Sequence, residues 1–192
     1  MRAWATGLAA ALLLAVPGAA LAGEVRVTRQ VEADATTTMV HEILVDATPA
    51  EVWTAISTAE GWMTWAVPVA WMTKDDPDLI EAAYDPASKP GGADTIQQRF
   101  GERIPGRRLG FRTVKAPAGF PHWDAYQKVT SVFEIEPAGR QTRVRLTSRG
   151  YPDSEGGRAL VAFFESGNGE TLENLRARFV TGPVDWNAKL RR

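Results

Sequence analysis

The last third of the chain constrains the fold most. After the turn sequence GYPDSEGG, residues Leu160, Phe163, Phe164, Thr171, Leu172, Leu175 and Phe179 recur at spacings of three, four, seven and eight, and Gly182-Pro183 marks a stop. This is the period of one amphipathic helix. About 26 residues at ~1.5 Å rise give a rod of roughly 39 Å, long enough to cross a strongly curved sheet. Within it lies SGNG, Ser166 to Gly169, whose two glycines should each cost about 1 kcal/mol against alanine. Either the close approach of a ligand or another backbone compensates, or the helix breaks there.

A second helix signal stands near the other end. Thr48-Pro49-Ala50-Glu51 is a capping box with proline at the first helical position, so a helix is expected from Pro49 to about Ser57. Thr58 can cap a second short helix. The stretch ATPAEVWTAISTAEGWMTW, Ala47 to Trp65, loads three tryptophans into this region. Trp53, one turn before Ile56, is expected in the core. Trp62 and Trp65 fall three residues apart on one side; they either seal this end of the core or form the wall and mouth of a cavity.

Between the helical regions the period is that of strands. Met39, His41, Ile43 and Val45 share one face, with Val40, Glu42 and Leu44 on the other. Leu79 to Tyr84, Thr95 to Phe100, Arg108 to Val114, Gln127 to Glu136 and Thr142 to Ser148 alternate or are rich in β-branched and aromatic residues, and Pro/Gly loops separate them. Gly23 to Thr38 reads as a flexible lead-in with at most a short strand at Glu24 to Val27. The expectation is an α+β chain: a curved antiparallel sheet of about six strands, two short helices and one long C-terminal helix.

The first 22 residues read as a secretory signal peptide. Arg2 supplies the positive charge, LAAALLLAV (Leu8 to Val16) is the apolar run, and Pro17-Gly18 precedes the small-residue site Ala20-Leu21-Ala22. The alternative is a membrane anchor, since Ala3 to Ala22 carries no charge. Cleavage after Ala22 implies a periplasmic or secreted protein with no stable membrane insertion. The remaining organisation is a lead-in at 23–38, one domain at 39–181 and a tail at 182–192. Without Arg2 the chain carries 21 basic and 23 acidic residues. That balance argues against a nucleic-acid partner held by bulk charge. The basic run RIPGRRLGFRTVK, Arg103 to Lys115, alternates with apolar Leu109 and Phe111, as on the wet face of a strand. The chain has no cysteine, which excludes disulfides, thiol catalysis and thiolate metal sites.

Strand, two short helices, five strands and one long helix is the order of the helix-grip fold. The chain here resembles the START and birch-pollen-allergen superfamily, SRPBCC, and within it the branch related to the activator of heat-shock-protein ATPase. The resemblance rests on HEILVDATPAEVWTAISTAEGWMTW, on Gly91-Gly92, on TRVRLTSRGYPD and on FFESGNGETLENLRARF, and covers about Met39 to Val180. It implies a cavity between the long helix and the concave face of the sheet. Apolar walls are expected from Trp65, Phe111, Phe133 and Phe164, with Gly167 near the stripe facing the cavity. Sparse polar groups such as Gln98, Thr113, Ser131 and Ser148 can point inward by alternation. The loop Lys115 to Asp124, with Phe120, His122 and Trp123, reads as a gate or as a surface turn.

Chemistry is harder to find. The two histidines, His41 and His122, have no metal-ligand spacing, so neither a metal nor a cofactor is expected. No G-x-S-x-G elbow occurs, and GNGETL lacks the third glycine of a dinucleotide fingerprint. Glu134 and Glu136 share a strand face that reads as exposed. The leading reading is therefore an exported protein that binds a small hydrophobic molecule. A polyketide-cyclase-like enzyme using His122, Glu134 or Tyr126 is the alternative, and a protein-interaction module a further one. The sequence does not fix an oligomeric state.

Overall fold

The structure is a computed structural model and describes residues 24–189. The leader therefore lies outside the described residues. Eight strands form one antiparallel sheet: β1 (Arg26–Val31), β2 (Thr37–Val45), β3 (Val69–Met72), β4 (Leu79–Ala83), β5 (Ile96–Ile104), β6 (Arg108–Lys115), β7 (Thr130–Ala138) and β8 (Gln141–Tyr151). Their order across the sheet is β1-β2-β8-β7-β6-β5-β4-β3. Helices α1 (Pro49–Ser57) and α2 (Ala59–Met63) carry the chain from β2 to β3 at the far edge. The long helix α4 (Glu155–Thr181) packs on β2 and β8, while α3 (Trp123–Tyr126) and α5 (Trp186–Lys189) are single turns. This is the expected α+β helix-grip arrangement, with eight strands in place of about six.

The two strands beyond the expected six are both edges. Strand β1 is exposed along nearly its whole length, so it shows no apolar alternation, yet it pairs with β2 from Arg26 opposite Glu42 to Val31 opposite Thr37. The flexible lead-in expected over residues 23–38 is thus corrected: most of it is a hairpin with the first ordered strand. Strand β3 is only four residues long, too short to show a period. The expected tail is also partly tied down, because the Val184 N–H donates to the Thr64 carbonyl at 2.9 Å. Strand β7 starts at Thr130, later than expected, because Trp123–Tyr126 turns into α3 first.

The helix signals are met in detail. Thr48 Oγ1 accepts from the Glu51 N–H at 3.3 Å, and the Glu51 carboxylate accepts from the Thr48 N–H at 2.8 Å. Thr58 Oγ1 accepts from the Gly61 N–H at 2.9 Å and so starts α2. Ser154 Oγ caps α4 by accepting from Gly157 N–H at 3.1 Å. A β-carbon on Gly157 would stand 1.8 Å from the Pro152 carbonyl oxygen, so this turn tolerates glycine alone. Helix α4 runs unbroken for 27 residues through SGNG. Apart from the helix's own adjoining backbone, no atom lies within 4 Å of where a β-carbon of Gly167 or Gly169 would sit, which removes close approach of another backbone as their reason.

Two apolar clusters fill the concave side. The larger joins Val52, Ile56 and Trp65 to Ile43, Phe133, Leu146, Leu172 and Leu175; the smaller holds Met39, Val129, Tyr151, Leu160 and Val161. On the convex face charges alternate in sign. Glu42 meets Arg145 at 2.8 Å, and Arg108 meets both Glu102 and Glu134 at 2.7 Å. In the basic run, Arg103 likewise pairs with Asp78 at 3.0 Å, as expected of a wet strand face.

Candidate functional site

Between the two clusters the concave face turns polar. Met39, Ser148, Ser131 and Phe111 are register neighbours across β2, β8, β7 and β6, and Thr113 stands opposite Gln98 on β5. The Ser131 and Ser148 hydroxyls are 2.9 Å apart. The Thr113 hydroxyl donates to the Tyr126 phenol oxygen at 3.2 Å. Tyr151, 1% exposed, faces Ser148 and Asn168. Burial pushes the Tyr126 and Tyr151 phenols up, and neighbouring phenols add to this: Tyr84 acts on Tyr126, and Tyr126 on Tyr151. Tyr126 and Tyr151 both lie against the Phe164 ring, at 4.7 and 6.3 Å between centroids, while Tyr84 is exposed.

Several polar atoms in this belt have no partner. His41 is fully buried, and its Nε2 lies 2.9 Å from the Glu165 carbonyl. A carbonyl only accepts, so Nε2 carries the proton and Nδ1 is left as a buried acceptor without a donor. Burial pulls the His41 pKa below its ordinary value, against a smaller opposing effect of Glu165. Gln98 Oε1 and Asn168 Nδ2 are buried and unpartnered too. Each such group costs about 1 to 3 kcal/mol, and native interiors contain few of them.

Aromatic rings wall the same space. Phe164 stacks on Tyr126 with centroids 4.7 Å apart, Phe120 approaches Tyr126 at 5.2 Å, and Phe111 stacks on Phe133 at 5.5 Å. On one flank, α4 is held to β1 and β2 through Glu165, by Arg29 at 3.3 Å and by His41. Gly167 lies about 200° further round the helix, one turn from Phe163, which is 62% exposed. That flank is open beside Gly167.

Of the residues expected at the site, Gln98, Phe111 and Phe164 belong to this region, Phe133 backs it from the larger cluster, and Gly167 stands on α4 with open space beside it. Trp65 does not. It is 2% exposed at the opposite end, and its indole N–H donates to the Ala55 carbonyl at 2.9 Å, so of its two readings the core seal is the correct one. His122 and Trp123 sit beside the site on the loop before α3. Trp123 separates a hollow of about 350 Å³, lined by Lys115, Pro117 and Phe120, from one of about 460 Å³, lined by His122, Lys128 and Ser154. The His122 backbone is left-handed, with φ 57°, and its ring rests on Gly156. Tyr151 and Asn168 were not foreseen: Tyr151 lies beyond the strand end expected at Ser148, and Asn168 was hidden between the two glycines. Among the described residues, no three His, Asp or Glu side chains are grouped to hold a metal, and no helix is long and apolar enough to cross a membrane.

Comparison with solved structures supports the fold. The Aha1 dimer from Colwellia psychrerythraea has a TM-score of 0.57 at 17% identity, with 76% of this chain and 97% of that chain covered. MLL2253 from Mesorhizobium loti has 0.57 at 15%, covering 77% and 99%. CalU16 from Micromonospora echinospora has 0.53 at 18%, covering 88% and 89%. No curated protein matches the chain in sequence. Residues 36–180 match the family described as polyketide cyclase / dehydrase and lipid transport, a span from the start of β2 almost to the end of α4 that includes the whole polar belt. The chain belongs to that family.

Proposed function

We propose that the protein is an exported carrier that holds a small hydrophobic molecule between α4 and the half of the sheet around β5 and β6. The observation that carries this is the open flank at Gly167. A helix that spends two glycines in its middle loses about 2 kcal/mol of propensity, and nothing in the packing recovers it. The glycines instead leave room beside the rings of Phe164 and Tyr126, which offer apolar area to an occupant. The family's description, which names lipid transport, supports the same reading. Export rests on the leader sequence alone.

Native mass spectrometry of the protein purified from its own host tests both parts. A retained small molecule that leaves on unfolding, on a chain beginning at Gly23, is the expected result. A ligand-free protein contradicts the carrier, and an intact Met1 on soluble cytosolic protein contradicts export.

A cyclase is the second reading. The family's description names one, and the Thr113–Tyr126 hydroxyl pair is a proton donor beside the same open flank. Conversion of a bound polyketide, lost in Tyr126→Phe, would favour it over a carrier.

A further inference from the structure

We infer that the outer edge of β1 is a docking surface for a second copy of this chain. The two β1 strands pair antiparallel about Arg29, so that one sheet runs through both molecules.

The edge is open and in phase to pair. Among the described residues β1 pairs with β2 alone, whereas the strand at the opposite edge, β3, is only four residues long. Backbone groups alternate sides along a strand, and Glu32 fixes the phase: its N–H donates to the Thr36 carbonyl at 2.8 Å, toward β2. The N–H and C=O groups of Val27, Arg29 and Val31 therefore point outward. Such an edge is a template for another strand unless charge, proline or a bulge guards it. Strand β1 contains no proline and keeps one register along β2. Arg29 is drawn over the concave side onto Glu165 at 3.3 Å, and Val31 is left 73% exposed.

Charge selects a second copy as the occupant. Arg26, Glu42, Arg145, Glu134 and Arg108 are register neighbours on the convex face, a row of alternating sign that ends on Arg26 at the edge. Glu32 lies on that same face, where its carboxylate accepts from Gln30 Nε2 at 3.3 Å. A two-fold axis through Arg29 sets Arg26 of each copy opposite Glu32 of the other, which continues the alternation across the interface. It also sets Val27 opposite Val31, a β-branched pair on the concave face. Val27, Arg29 and Val31 then exchange backbone hydrogen bonds with their counterparts. The two Arg29 side chains meet at the axis, each paired with its own Glu165. Moving the register by two residues in either direction sets a valine opposite Arg29 and loses the Arg26–Glu32 pairs. A shift of one residue turns outward backbone groups against inward ones.

Sedimentation equilibrium of the purified protein tests this. A short edge buries little area, so the mean mass should rise from one chain toward two between about 1 and 100 µM. A single-chain mass throughout overturns the inference. Val27→Pro removes an outward N–H and spares the bonds to β2, so it should stay monomeric with an unchanged circular dichroism spectrum. A dimer of parental strength in that folded variant overturns the assignment to β1. Arg26→Glu and Glu32→Arg should each weaken association by about fivefold, the effect of cross-strand ion pairs turned repulsive. The double variant, which restores opposite charges, should recover the parental mass. Folded single variants that associate as the parent does, or a double variant that does not recover, overturn the pairing about Arg29.

Discussion

The indole N–H of Trp65 donates to the backbone carbonyl of Ala55 at 2.9 Å, inside the larger core. Two other tryptophans do the same: Trp62 donates to Ile56 at 2.8 Å and Trp186 to Met63 at 2.6 Å. These carbonyls belong to the last turns of α1 and α2. The last four carbonyls of any helix lack a partner within it, and two consecutive short helices bring many such carbonyls into a buried corner. Tryptophan suits that corner because it brings both a large apolar ring and a donor. The crowding of tryptophans around α1 and α2 is thus a solution to helix ends, placed away from the proposed ligand site.

Replacing Trp65 with phenylalanine should lower stability by about 1 to 3 kcal/mol, the range for a buried carbonyl left without its donor, with some further loss from the smaller ring. Affinity of the folded variant for N-phenyl-1-naphthylamine, a neutral fluorescent probe, should be unchanged. Urea unfolding and a probe titration on the same sample decide it. An unaltered midpoint would show that the indole hydrogen bond contributes nothing.

The cap of α1 gives a second prediction. Thr48→Ala removes the oxygen that accepts from Glu51 N–H, which should cost about 0.5 to 2 kcal/mol without loss of fold. Hydrogen bonds from the Thr48 backbone and side chain hold the Glu51 carboxyl below the usual carboxylate range. In the variant the side-chain bond is gone, so Glu51 should titrate higher, which carboxyl NMR can follow. The same Glu51 pKa in both proteins would mean that the capping box is not formed.

His41 makes stability depend on pH. Its folded pKa lies below its unfolded one, so the unfolded chain takes up the proton first. The stability this provides is complete above the unfolded value of about 6.5 and is lost as pH falls toward the depressed folded value. Urea midpoints should therefore drop between about pH 7.5 and 5.5, before most carboxylates titrate. In His41→Gln, whose amide can still reach the Glu165 carbonyl, the drop should flatten. An equal drop in the variant assigns the effect elsewhere.

What was legible in the sequence was local. The Thr48 box, the Thr58 cap and the extent of α4 each follow from hydrogen bonds or periods within a few turns of chain. Strand β1 was legible only as a short strand at Glu24 to Val27, because exposed residues carry no alternation, and β3 was not legible because four residues are too few. The belt was half visible. Alternation put His41 on the face of Met39 and Ile43, and it offered Gln98, Thr113, Ser131 and Ser148 as inward groups. That they meet Tyr151 and Asn168 depends on which strands are neighbours and on how α4 lies across them. Trp65 stayed between two readings for the same reason, since only tertiary packing separates a core ring from a cavity wall.

Helix α4 contains glycines of opposite kinds, and alanine should tell them apart. At Gly157 a β-carbon would stand 1.8 Å from the Pro152 carbonyl oxygen, a backbone atom that cannot turn aside. Gly157→Ala should thus cost at least the ~1 to 3 kcal/mol typical of overpacking. At Gly167 nothing lies within 4 Å, so Gly167→Ala should add up to about 1 kcal/mol by helix propensity alone. Leucine has nearly the same propensity, so Gly167→Leu should also stay at least as stable as the parent while its side chain enters the open flank. Binding of N-phenyl-1-naphthylamine should then be lost. If Gly167→Leu is stable and binds the probe as the parent does, the open flank is not the ligand site. If it unfolds at lower urea than the parent, the space beside Gly167 is filled in solution, and the two glycines have a packing role after all.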